Sequence, residues 1–199
     1  MSHLEQLQEA VRALVKTNID GQDFVPYSWL VDLFTREEEN IVLVLDGGAI
    51  EDYERRFMAK RVLKGGVVTF ATLVMMGQPD LIRRFFDRDA GVAGGTDPDR
   101  DLPFKRSWLD ENLTDYAQPF WETQYMFHVP TFPQGMPHRI HDAEIRLPFV
   151  KLDHGPALGK KRAPKGNFGV VTSVKIPPVK RNDADTKVST RIGICLDVE

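Results

Sequence analysis

The chain has 199 residues, 42% of them hydrophobic and 28% charged, with a net charge of −3, which supports a core and excludes wholesale disorder. That length fits one domain, or one domain with a fragment of a second. No apolar run is long enough to cross a bilayer, MSHLEQLQEAVRALVK lacks the features of a secretory signal, and Cys195 is the only cysteine, so an intracellular, cytoplasmic setting is expected.

Taken in chain order, Leu4, Leu7, Val11, Leu14 and Val15 recur at spacings of three and four and predict an amphipathic helix over 2–17. Ser2 with Glu5 forms a capping box for it, and NIDGQ (18–22) ends it with turn chemistry. Pro26 introduces a short helix, YSWLVDLF. Thr35 with Glu38 reads as a second capping box, opening REEENIVLVLD, which Gly47-Gly48 stops. The run from Ile41 to Leu45 would also suit a buried strand, but the preceding charges and the cap favour a helix. IEDYERRFMAKRV (50–62) reads as a charged helix, broken at Gly65-Gly66. VVTFATLVMMG (67–77) is apolar all round and predicts a central core helix, although its valines and threonines leave a strand open. Pro79 opens DLIRRFFDRD, whose buried face is Leu81, Ile82, Phe85 and Phe86. AGVAGGTDPDRD (90–101) then reads as a flexible acidic loop.

From Leu102 the texture changes to prolines and aromatics. The expectation is an irregular segment with only short elements, wrapping the helical body through Phe104, Trp108, Phe120, Trp121, Phe127 and Phe132. TQYMFHV (123–129) reads as a short strand within it, and Gly135 and Gly155 as turn residues. NFGVVTSVKI is the strongest strand of the chain, stopped by Pro177-Pro178, and KVSTRIGICLDV is its expected partner across a polar loop.

Few constellations carry chemistry. HRIHD (138–142) places His138 and His141 on one side of a helical turn, but Pro137 precedes them and no third ligand follows by spacing, so packing or surface histidines are expected. Cys195 lies in an apolar run with no base nearby and reads as structural. The carboxylates of 36–39, 51–54 and 97–101 read as solvated faces and loops. Charge is divided unevenly: residues 1–150 hold 16 basic and 24 acidic side chains, residues 151–199 hold 10 and 5. The basic part, through GKKRAPKG and VKRND, gives a nucleic-acid reading, but no aromatics interleave there for base stacking, so nucleic acid is not the expected partner.

GNFGVV (166–171) fits either an ordinary turn into a strand or a loop over phosphates. The second needs glycines so that backbone N–H groups reach the phosphates with no Cβ in the way. An aromatic at the tip closes over a nucleotide, and a β-branched residue on the returning strand packs on the base. LPFVKLD, then LG, then GNFGVVTSVKI together resemble the opening of a protein kinase domain. VVTFATLVMMGQPDLIRRFFD, DLPF, HVPTFPQG and RLPF resemble the accessory region that precedes the kinase domain in a group of fungal kinase-like proteins.

The resemblance implies a relation to ATP-binding serine/threonine kinases, with ATP as cofactor and Gly166, Asn167, Phe168, Gly169 and Val171 as the cofactor-binding residues. The chain departs from the pattern in definite places. Gly159 and Gly166 are seven apart, and Pro164 stands where the first loop glycine belongs. Lys175, Lys180 and Lys187 are the candidates for the strand lysine, and none has the Val-Ala-x-Lys context. These residues include no His-Arg-Asp or Asp-Phe-Gly, so no catalytic residue is assigned and phosphoryl transfer is not expected.

The expected architecture is α+β. A helical accessory domain spans 1–130, a proline- and aromatic-rich connector spans 131–150, and a small antiparallel β fragment like the start of a kinase N-lobe spans 151–199. The expected function is that of a kinase-like protein, catalytically incomplete, with a regulatory or protein-interaction role and weak ATP binding. A helical protein–protein module with no nucleotide site is the alternative reading. Protein is the expected partner, and no membrane association is expected.

Overall fold

The structure, a computed structural model, describes residues 1–45, 51–86, 97–130, 145–151, 165–166, 169–175 and 192–196, and from residue 151 onward it describes the backbone. The fold is α+β and predominantly helical. Helix α1 (His3–Arg12) begins with the capping box expected of it: Ser2 Oγ accepts from Glu5 N–H at 3.1 Å, and Ser2 N–H donates to Glu5 Oε2 at 2.6 Å. Leu7 and Val11 form its buried edge, and Leu4, Leu14 and Val15 pack around them.

The helix stops short of residue 17 because Lys16–Thr17 is a strand, β1, paired antiparallel with β2 (Asp23–Phe24). NIDGQ is the turn of this hairpin. Asn18 Oδ1 accepts from Asp20 N–H and Gln22 N–H, both at 2.9 Å, and Gly21 takes the left-handed φ of +77° that the turn requires.

Helices α2 (Tyr27–Arg36) and α3 (Glu38–Val44) follow. The expected capping box at Thr35 and Glu38 does not form. Thr35 lies inside α2, and Glu37 joins the two helices with no side-chain cap. The apolar run from Ile41 is helical, as its preceding charges indicate, and it buries Ile41, Val42 and Val44. Helix α4 (Asp52–Gly65) runs through the first glycine of the Gly65-Gly66 pair, and α5 (Val67–Met75) begins after the second. A methyl group on Gly66 would sit 2.8 Å from the ring of Phe86, so the joint between the two helices needs glycine's missing side chain.

The most enclosed element is α5. Every residue from Val67 to Val74 is buried, as the all-round apolar pattern predicts. Phe70 and Leu73 are fully covered, each contributing about 1.5–3 kcal/mol of burial. Polar groups within it are paired: Thr72 donates to the Val68 carbonyl, and Gln8 of α1 donates to the Val74 carbonyl, at 2.9 and 2.8 Å. Pro79 opens a short 3-10 turn (Pro79–Leu81) leading into α6 (Ile82–Phe86), which buries Ile82, Phe85 and Phe86.

Residues 102–130 correct the expectation of an irregular wrap. They form two helices, α7 (Arg106–Leu113) and α8 (Ala117–Phe127), and the expected strand TQYMFHV is the last turns of α8 and its C-terminal exit. Pro119 does not oppose this, because it occupies the first turn of α8, where a missing N–H costs nothing. The aromatics pack as anticipated. Phe85, Phe104, Trp108 and Phe120 form one cluster with ring centroids 4.9–5.9 Å apart. Gln124, fully buried on α8, holds the Phe104 backbone from both sides, its Oε1 accepting from Phe104 N–H at 2.8 Å and its Nε2 donating to the Phe104 carbonyl at 3.2 Å. Phe132 and Gly135 lie outside the described residues.

The segment 145–149 is bound to the first hairpin. Ile19 N–H donates to the Phe149 carbonyl at 2.8 Å, Asn18 Nδ2 donates to the Leu147 carbonyl at 3.1 Å, and Arg146 donates to the Asp23 carbonyl. It continues into β3 (Val150–Lys151), the start of a second sheet with β4 (Lys165–Gly166), β5 (Gly169–Lys175) and β6 (Ile192–Leu196). All pairings are antiparallel with β5. Val170 pairs with Lys165 and Leu196, and Val174 with Lys151 and Ile192; β3 and β4 therefore share one edge of β5, and β6 takes the other. The expected pairing of GVVTSVK with IGICL is present.

Candidate functional site

The expected nucleotide-contacting residues fall on the β4–β5 hairpin. Gly166 stands opposite Gly169, and Lys165 opposite Val170. Val171, next along β5, is in register with Cys195 of β6. The two glycines are therefore brought together at the end of the ladder, one on each strand. Asn167 and Phe168, between them in sequence, lie outside the described residues, as do Gly155, Gly159, Pro164 and the Pro177-Pro178 break.

The candidate lysines are divided. Lys175 is the last residue of β5, paired with Val150 at the end of the ladder away from Gly169. Lys180 and Lys187 lie outside the described residues. The strand that flanks β5 on its other edge, Ile192–Leu196, contains no lysine.

The two histidines singled out, His138 and His141, lie outside the described residues, as does His154. His128 follows the last residue of α8, donating its backbone N–H to the Gln124 carbonyl at 2.8 Å, and burial holds its imidazole below the usual histidine range. Among the described residues, no group of three His, Cys, Asp or Glu side chains is arranged to hold a metal ion.

The carboxylates read as solvated divide into two kinds. Glu39 of α3 and Asp52 of α4 do lie at the surface, in ion pairs: Arg56 bonds Glu39 at 2.8 Å and Asp52 at 2.9 Å, tying α3 to α4. The 97–101 stretch corrects the expectation. Pro98–Asp101 is a 3-10 turn laid against the start of α5, and Asp99 is directed inward. Its carboxylate accepts three hydrogen bonds at 2.9 Å, from Val68 N–H, Thr69 N–H and Thr69 Oγ1. It is the N-terminal cap of α5, supplied from a residue 30 positions further on.

The surroundings of this cap are tight. A methyl group on Gly65 would approach the Asp97 carboxylate carbon to 2.8 Å. Burial raises the Asp99 carboxyl above its ordinary value, opposed by its three donors, and the charge of Asp97 adds to the rise. The Tyr27 phenol is likewise pushed up, first by burial and then by the charges of Asp99 and Asp97. No signal in the neighbouring sequence marks Asp99, since its donors lie on another element. With its oxygens committed to α5, it holds a helix and is not placed to move a proton for a substrate.

No protein-family model, curated protein or solved structure matches the chain. No helix among the described residues is long and apolar enough to cross a membrane.

Proposed function

We propose that the chain is a kinase-like protein with an interaction or regulatory role, whose glycine hairpin contacts nucleotide weakly. The observation that supports this reading is the strand order around β5. The segments β3 and β4 lie in line along one edge, the glycine hairpin leads from β4 into β5, and β6 closes the other edge. A glycine-rich loop over phosphates needs this strand–glycine hairpin–strand arrangement, so that the backbone at the turn is open to a ligand. The resemblance of GNFGVVTSVKI to the kinase loop places the same residues there.

Weak affinity follows from the charge balance. Triphosphate binding in kinases is anchored by a lysine on the strand after the loop-bearing pair. Here the corresponding strand, β6, is Ile-Gly-Ile-Cys-Leu, and Lys175 lies at the opposite end of β5 from the glycines. Backbone N–H groups and Lys165, beside Gly166, leave most of the triphosphate charge uncompensated.

The test is a Mg-ATP titration of the whole chain followed by amide NMR. Shifts confined to Gly166, Gly169, Val170 and Val171 are expected, saturating only in the millimolar range, on the order of −4 kcal/mol of binding. Absence of any shift at these residues would remove the nucleotide reading. Micromolar saturation would overturn the incomplete-site reading.

A further inference from the structure

Residues 145–149 are seated on the first hairpin as a bound peptide would be. Asn18 Nδ2 donates to the Leu147 carbonyl at 3.1 Å, Ile19 N–H donates to the Phe149 carbonyl at 2.8 Å, and the Asp23 carbonyl accepts from Arg146. The carbonyls given to the hairpin come from alternate residues, as along a strand. Pro148 and Phe149 are the buried part of this strap. Asn18 serves both sides of the seam. Its Oδ1 closes the hairpin turn on Asp20 N–H and Gln22 N–H, its Nδ2 reaches Gln22 Oε1 and the strap, and the residue is 6% exposed. Unseating the strap therefore takes one of two acceptors from a buried amide.

No slack separates the seam from the second sheet. Phe149, whose carbonyl is bonded to Ile19, is followed directly by Val150, which pairs with Lys175 of β5, and Lys151 pairs with Val174. One Cα–Cα step of about 3.8 Å joins the hairpin's bond to the ladder. The first strand of the glycine hairpin, β4, pairs with the same β5. On its other side the first hairpin is tied to the helical body, because Val25 N–H, next after β2, donates to the Met126 carbonyl in the last turn of α8 at 2.9 Å. From α8 through the hairpin and strap to β3 and β5, the path runs through hydrogen bonds and adjoining residues.

We propose that residues 145–149 are a latch. Seated on the hairpin, they order β3 and through it the β5 ladder; unseated, they release both, so the helical body sets the order of the sheet that carries the glycine hairpin. A segment that only connects two units has no need to give two carbonyls and an arginine to one of them. The hairpin is suited to two states. It has two residues in each strand, three of the four exposed, and a hairpin of that size is marginal without something packed on it. The coupling does not require nucleotide. Its consequence for nucleotide affinity rests on the reading proposed above.

The experiment is amide hydrogen exchange of the full chain, first without nucleotide, in the wild type, Asn18→Ala and Arg146→Ala. Asn18→Ala removes the bond to Leu147 together with the turn closure. Arg146→Ala removes only the strap's bond to Asp23 and leaves the turn intact. Both are expected to speed exchange at Ile19 and in the β3–β5 ladder (Val150, Lys151, Val174 and Lys175) by a common factor, about tenfold for Asn18→Ala and smaller for Arg146→Ala, with Phe70 to Val74 of α5 unchanged. Acceleration confined to Ile19 overturns the latch. So does acceleration shared equally by α5, which is global unfolding. Addition of Mg-ATP to the wild type separates the latch from the nucleotide reading. A nucleotide that favours the ordered sheet slows exchange at Ile19, by reciprocity. Coupled exchange with no response to Mg-ATP anywhere keeps the latch and removes the nucleotide site. Mg-ATP that shifts Gly166 and Gly169 while Ile19 exchange stays the same overturns the latch.

Discussion

Replacing Asp99 with alanine tests whether the 97–101 turn holds the central helix. The carboxylate accepts from Val68 N–H, Thr69 N–H and the Thr69 hydroxyl, each at 2.9 Å. Val68 and Thr69 are 4% and 0% exposed, so water does not replace the lost acceptor without opening the helix end. A buried donor left unpaired costs about 1–3 kcal/mol, and two backbone donors and one hydroxyl are affected. Part of that is recovered because the desolvation cost of the buried carboxylate disappears with it. The net expectation is a loss of about 3 kcal/mol for Asp99→Ala. Asp99→Asn, which keeps one acceptor, loses about half as much. At this chain length that corresponds to roughly 6–12 °C in Tm for alanine. Urea unfolding is the assay, read as a lower midpoint at unchanged slope. Thr69→Val removes only the hydroxyl donor, and the double variant Asp99→Ala/Thr69→Val loses less than the sum of the two. A loss below about 0.5 kcal/mol for Asp99→Ala, the range of ordinary surface substitutions, would refute the capping role.

Four further outcomes follow from the packing. Gln124→Leu strands the N–H and carbonyl of Phe104 in the core and costs about 2–3 kcal/mol in chemical unfolding, whereas a conventional surface glutamine would cost nothing measurable. Gly65→Ala drives a methyl group into Asp97 and lowers Tm by an amount equivalent to about 1–3 kcal/mol. Burial depresses the folded-state value of His128, so its contribution to stability is present above the ordinary histidine pKa and is lost as pH falls through the folded value. The wild type, compared with His128→Gln, accordingly loses stability between neutral and mildly acidic pH, and a gap that is flat or opposite in sign would contradict the assignment. Asn18→Ala removes the side chain that both closes the first hairpin and holds Leu147, and hydrogen exchange at the Ile19 amide, which bonds the Phe149 carbonyl, accelerates by about tenfold or more.

What was legible in the sequence was what is decided locally. The Ser2–Glu5 box, the turn chemistry of NIDGQ and the unbroken apolar character of 67–74 each depend on residues a few positions apart, and each appears as read. The Thr35–Glu38 pattern shows the limit of a short motif, since α2 continued through the threonine and used it as an ordinary helical residue. In residues 102–130 proline and aromatic content imitates irregular chain and hides two helices. The helices there are stabilised by burying Leu109, Leu113, Phe120 and Phe127, and Pro119 falls in the one turn of α8 that tolerates it. Asp99 was illegible for a different reason: a cap delivered across 30 positions has no local signature, and an aspartate in a Gly- and Asp-rich stretch looks like any loop carboxylate. Of the glycine hairpin, the pairing of strands followed from alternation and β-branching, and its register was settled only by the backbone ladder.

The enclosure of α5 also fixes an order of events during synthesis. This helix has no face made for water, and α8, the last element that packs on it among the described residues, is not complete until Phe127 has been added, about 50 residues after Met75. At the usual elongation speed of about 5–20 residues per second, its apolar surface stays uncovered for roughly 3–10 s beyond its own synthesis. Slowing elongation between residues 76 and 127 would lengthen that interval.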